Sequence, residues 1–142
     1  MSTPSVVGSG RSATRLRLVA TLAAVVVAAG VWLLADPVFG VELRTPKGPG
    51  SSETQELTLP VAAVAAGVVA LLGWGLLALL ERRTARTRTI WTRVAVAVVC
   101  LSLFAPLFAP GLSAGNRAWL VVLHLCVGAT VIPAFRRDAR TS

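Results

Sequence analysis

Residues 59–80 read LPVAAVAAGVVALLGWGLLALL and are followed at once by Glu81-Arg82-Arg83. No side chain in this run is ionisable, and the run ends on charge. At about 1.5 Å per residue, a helix of this length covers about 33 Å, enough to cross a hydrocarbon core of about 30 Å. A lipid-facing backbone must satisfy its own hydrogen bonds, so the run is a helix or part of a closed barrel. Barrel strands alternate polar and apolar residues over about ten positions. This run is apolar all round for twice that length, so it predicts a helix.

Working outward, three further segments have the same character: about 16–35, 90–109 and 118–135. The chain of 142 residues is 55% hydrophobic and 14% charged, with a mean hydropathy of +0.75. A water-soluble domain of this size carries a larger charged fraction. The expected architecture is all-α: a four-helix transmembrane bundle with antiparallel, up-down topology. One membrane domain, 14–135, is flanked by a flexible tail at 1–13 and a short tail at 136–142, with one long outer loop at 36–58.

The net charge of +8 raises the question of nucleic acid. The basic residues form no stripe with interleaved aromatics and match no nucleic-acid-binding motif; they gather at the ends of apolar segments. They therefore read as a topology signal. Arg11, Arg15 and Arg17 precede the first span. Arg82, Arg83, Arg86 and Arg88 fill the second connection, with Arg93 just beyond it. Arg136, Arg137 and Arg140 follow the fourth span. Placing both termini inside puts these in the cytoplasm and leaves only Arg44, Lys47 and Arg117 outside, so an N-in, C-in membrane protein is expected. The first span starts like a signal peptide. Its apolar run is long, however, and Leu33 stands where cleavage after Ala35 would need a small residue, so an uncleaved span is expected.

The loop 36–58 opens with Val38, Phe39, Val41 and Leu43 in near alternation, fit for a short extended segment. The Pro and Gly that follow, from Thr45 to Ser52, argue against a regular element there and for a mobile tip. Small residues mark helix interfaces in lipid. Ala20, Ala24 and Ala28 form one stripe; Ala63, Ala66, Gly67 and Ala70, continued by Trp74, form another that would meet it. Trp32, Trp91 and Trp119 lie near span ends, where an interfacial belt is expected. Cys100 and Cys126 lie inside apolar segments, form no Cys-x-x-Cys pair, and read as small hydrophobes. Pro106 and Pro110 interrupt the outer end of the third span, and Pro133 the inner end of the fourth.

An ionisable residue inside a span is a functional candidate. His124, in the fourth span, is the foremost. Gly128 lies one turn further on the same face, and Ser102 at similar depth in the third span. A Ser102–His124 hydrogen bond is the favoured arrangement, with proton transfer or ligand binding as its functional counterpart. Asp36 is the third candidate, as a loop cap or a partner for His124. One His with scattered acids falls short of a metal signature, and no cofactor-binding motif is present. Glu81 is expected to pair with an Arg from a neighbouring inner end.

Several of these residues form a pattern: Ala35-Asp36-Pro37 with Gly40; Gly73-Trp74 leading to Leu80-Glu81-Arg82; Trp91; Ser102-Leu103 with Pro106; and His124 followed by Gly128 and Pro133. On these the chain, from Arg15 to Phe135, resembles a family of small uncharacterised bacterial four-helix membrane proteins classed only as a domain of unknown function. The resemblance implies the fold and the span count, and no activity.

Walker, nucleophile-elbow, zincin and dinucleotide motifs are all absent. The reading that follows is non-enzymatic: a structural or accessory component embedded in the bilayer, with a protein partner or a second copy. A lipid- or quinone-handling enzyme centred on His124, Ser102 and Asp36 is the alternative. A small transporter is disfavoured, because every acidic residue lies at a span end or in a loop.

Overall fold

The computed structural model describes residues 9–139. Its elements are α1 (Ser9–Leu33), continued by a π turn (Leu34–Val38), β1 (Arg44–Pro46), β2 (Thr54–Glu56), α2 (Leu59–Arg83), α3 (Thr87–Ser102), α4 (Phe104–Phe108) and α5 (Ala114–Asp138). Four stretches are long and apolar enough to cross a membrane: Gly10–Val38, Leu59–Arg83, Thr87–Phe108 and Ala114–Asp138.

The helices outrun the apolar segments. α1 starts at Ser9, so the part of the expected flexible tail from Ser9 to Ala13 is helical, and Thr14 Oγ1 donates to the Gly10 carbonyl at 3.1 Å. Extending a formed helix costs one residue's freedom and gains one hydrogen bond, so polarity alone does not stop it. Residues 1–8 and 140–142, with Arg140, lie outside the described residues. At the other end, Pro37 lacks an N–H and the helix widens into the π turn. The chain leaves it at Gly40, whose φ of +68° suits glycine.

The loop corrects two expectations: the extended segment falls at Arg44–Pro46 and not at Val38–Leu43, and a regular element reaches into the stretch from Thr45 on. β1 and β2 pair antiparallel with Arg44 opposite Glu56 and Pro46 opposite Thr54. The prolines and glycines sit at the strand end and in the turn, where Ser51 N–H donates to the Gly48 carbonyl at 3.1 Å, so they punctuate the hairpin rather than prevent it. Leu43 and Leu57, flanking the strands, are buried with Ala35, Ala62, Ala109, Leu112 and Leu120. The hairpin is thereby seated on the helix ends.

α1 packs most extensively against α2 and α5, and α3 against α5; α2 and α3 meet over a shorter length. Ala20, Ala24 and Ala28 on α1 are all buried, as are Ala62, Ala66 and Ala70 on α2. The buried row of α2 thus runs one position to the side of Ala63 and Gly67, which are half-buried; a Cβ on Gly67 would lie 3.3 Å from Val25 Cγ2. A second core layer joins Ala24, Ala70, Leu77, Val131 and Phe135 to Trp91, with Trp74 packed against it. Trp91 is 1% exposed and donates Nε1–H to the Gly73 carbonyl at 3.1 Å, which pins α3 to α2. It belongs to the core and not to a surface belt: its N–H found a backbone acceptor in the middle of α2, so the ring could be buried whole.

α3 ends at Ser102 because Pro106, four residues on, has no N–H for the Ser102 carbonyl. The one-turn α4 follows and stops before Pro110, at the extended Ala109. α5 runs unbroken through Pro133. Cys100 is exposed on the surface of α3 and Cys126 is half-buried; neither belongs to the buried core expected of them. Their helices turn these positions outward, and an apolar surroundings makes an outward thiol tolerable.

Candidate functional site

A cavity of about 550 Å³ lies between α2, α3 and α5, with Ala28 of α1 at its back. It arises because α3 leans on α5 and not along α2. Gly128 sets that lean: a Cβ there would stand 3.0 Å from Val99 Cγ2, so the bare backbone admits Val99 and draws the two helices together. Thr45 of β1 and Leu57 roof the cavity, and Trp91 and Ile132 line its opposite end. Val69 and Leu72 on α2 and Val94 and Val98 on α3 line it while staying 52%, 69%, 37% and 51% exposed. The mouth is therefore lateral, between α2 and α3.

His124 and Ser102 both line this cavity, but they do not bond to each other. The His124 Nδ1 lies 2.7 Å from the Leu120 carbonyl, and the Ser102 hydroxyl donates to the Val99 carbonyl at 2.7 Å. Each polar side chain is satisfied within its own helix, one turn back, which removes the drive for the expected cross-helix bond. Because a carbonyl only accepts, Nδ1 carries the hydrogen, and Nε2 of a neutral ring is left as an acceptor. Asp36 lies elsewhere. It sits half-buried in the π turn, where its carbonyl accepts from Gly40 N–H at 2.9 Å, and it does not line the cavity. The expected three-residue site is thus a pair.

A second polar constellation was legible only in part: Glu81 does pair with an Arg of a neighbouring helix end, but that this is Arg17, and that Asp138 joins it, was not foreseen. Arg17 is buried and donates through Nη2 to Glu81 Oε1 at 2.6 Å and through Nε to Asp138 Oδ2. It ties the start of α1 to the ends of α2 and α5. The Asp138 side chain is 1% exposed. Arg17 was expected to be one more topological charge, like Arg82, Arg83, Arg136 and Arg137, which are indeed exposed. What distinguishes it is that it falls on the face of the Ala20–Ala24–Ala28 stripe, three residues before Ala20, and so points at the other helices.

Two clamps hold the opposite end. Asn116 is buried and grips the Arg44 backbone twice, accepting from its N–H at 3.1 Å and donating to its carbonyl at 2.9 Å. Arg117 donates to the carbonyls of Leu107, Ala109 and Leu112 at 2.5, 2.9 and 3.1 Å, satisfying the chain where the prolines cut it short. The Ser113 hydroxyl caps α5 by accepting from Asn116 N–H at 3.2 Å. Among the described residues, no group of three His, Cys, Asp or Glu stands close enough to hold a metal ion.

Residues 8–141, nearly the whole chain, match a family described as a family of unknown function, DUF6069. No curated protein and no solved structure matches the chain.

Proposed function

The chain belongs to the DUF6069 family of unknown function, and from that premise we propose that it is a multi-pass protein of a bacterial inner membrane that holds a hydrocarbon chain in its α2–α3–α5 cavity. Both termini face the cytoplasm, and the helices run up and down in an antiparallel bundle. The charge bias supports this orientation, and the antiparallel arrangement is supported by the way the start of α1 meets the ends of α2 and α5 through Arg17.

The observation that carries the binding role is the cavity itself: it is apolar and open sideways between α2 and α3. Such a mouth faces lipid rather than water, and ligand sites are typically concave, apolar and sparsely polar. A methylene takes up roughly the volume of a water molecule, about 30 Å³, so the space holds about 18 of them. Binding fits better than catalysis, because the His124 ring and the Ser102 hydroxyl are each bonded to a carbonyl of their own helix and not to each other, and no carboxylate lines the cavity. The accessory role expected from the sequence keeps one supporting feature, since a partner's apolar helix would also cover the exposed flanks Val69, Leu72, Val94 and Val98.

Trp91 lines the cavity and provides the test. Titrating the detergent-solubilised full chain with a brominated sixteen-carbon chain (a probe length set by the volume above) should quench fluorescence saturably. The Trp91→Phe variant should lose that component, and Val94→Phe/Val98→Phe should block it at the mouth. Non-saturating quenching that is the same in all three proteins would refute the reading.

A further inference from the structure

We infer that the cavity selects an uncharged lipid bearing a hydrogen-bond donor, a hydroxyl, at the end that reaches His124; this rests on the chain-binding reading above. The argument is an inventory of polar atoms. With Nδ1–H committed to the Leu120 carbonyl, neutral His124 offers only Nε2, an acceptor. With its hydrogen committed to the Val99 carbonyl, the Ser102 hydroxyl offers only lone pairs. The Trp91 N–H, the obvious donor of the cavity lining, is already bonded to the Gly73 carbonyl. Thr45, the remaining hydroxyl of the lining, belongs to β1 and not to the helices. The lining side chains of α3 and α5 therefore present acceptors and no uncommitted donor.

Charge narrows the class further. No Arg, Lys, Asp or Glu lines the cavity, and burying an unpaired charge costs far more than one hydrogen bond returns. A phosphate-bearing or carboxylate head is excluded from the interior. What fits is a neutral molecule that resides within the hydrocarbon layer, its hydroxyl meeting Nε2 and its chain filling the space. A long-chain alcohol and a hydroquinone with an alkyl tail share that chemistry. A quinone, an ether or an ester carries only acceptors and would leave acceptor facing acceptor.

Displacement of the brominated chain reads this directly in the full-length protein. Hexadecanol should compete about tenfold better than hexadecyl methyl ether, the factor corresponding to one net hydrogen bond. A decyl hydroquinone should likewise outcompete its quinone, and whichever donor arm is tighter identifies the source. In His124→Phe both ratios should fall to about one while hexadecane still competes, which shows the cavity intact. A ratio near one in the unmodified protein, or tighter binding of ether or quinone, overturns the inference even if His124→Phe does not fold. If hexadecane itself fails to compete, the chain-binding reading falls and this inference with it; if hexadecane binds and the ratios are flat, only the donor selectivity is lost.

Discussion

Replacing Arg17 by methionine should destabilise the protein by about 3 kcal/mol, although nothing in the local sequence separates it from its neighbour Arg15. The magnitude follows from the buried cluster. Arg17 and Asp138 side chains are 9% and 1% exposed, and Glu81 22%. Removing one member of a buried ion pair costs about 3–5 kcal/mol, because a charge is left without compensation. The lower value applies here because Glu81 is partly solvated and both carboxylates have a further interaction. Arg15 is exposed, and Arg15→Met should fall within about 0.5 kcal/mol of wild type. Most of the cost belongs to the buried Asp138 carboxylate that loses Arg17, so Arg17→Met/Asp138→Leu should recover about 2 kcal/mol relative to Arg17→Met alone. Equilibrium unfolding in mixed detergent micelles, followed by circular dichroism, gives all four values of the cycle. If Arg17→Met matches Arg15→Met, or the double variant is the sum of the two singles, the cluster is not holding the three helices together.

Gly128→Leu should cost about 1–3 kcal/mol by forcing α3 away from α5, and Val99→Ala should restore part of it, which the same unfolding assay reads. Asn116→Ala breaks both bonds to the Arg44 backbone and leaves buried groups unpaired; the expected loss is about 1–3 kcal/mol, seen as faster hydrogen exchange across β1 and β2 with α1 to α5 unchanged. For the proposed orientation, Ser52→Cys in a background without Cys100 and Cys126 should react with a membrane-impermeant maleimide in intact cells. Arg83→Cys should react only after permeabilisation, and the reverse pattern would invert the topology.

Much of the scaffold was legible without coordinates. A run such as 59–80 admits one solution in lipid, because an unpaired backbone group has no water to bond, and so four spans follow from hydropathy alone. The alanine stripe of α1 was legible for a related reason: spacing by four repeats a face whatever the partner is. Gly128 could be picked out as a close-approach position, though not the residue it would admit. The hairpin at Arg44–Glu56 was missed because its strands are three residues each and depend on Asn116, 60 residues further along the chain from β2, for a partner. Ser102 and His124 line one cavity, yet whether they bond to each other or to their own helices depends on rotamers that composition does not encode.

The spans, their apolar length and the lopsided distribution of Arg were thus settled by sequence, since each is a property of a residue and its near neighbours. Which arginine is buried, that Trp91 is core, that the loop closes as a hairpin, and that α2 and α3 part to leave a cavity were settled only when the helices met. Those outcomes depend on the rotation and tilt of one helix against another, set by contacts such as Val99 on Gly128 and Arg17 between Glu81 and Asp138. Such contacts join residues up to 121 positions apart, and no local pattern contains them.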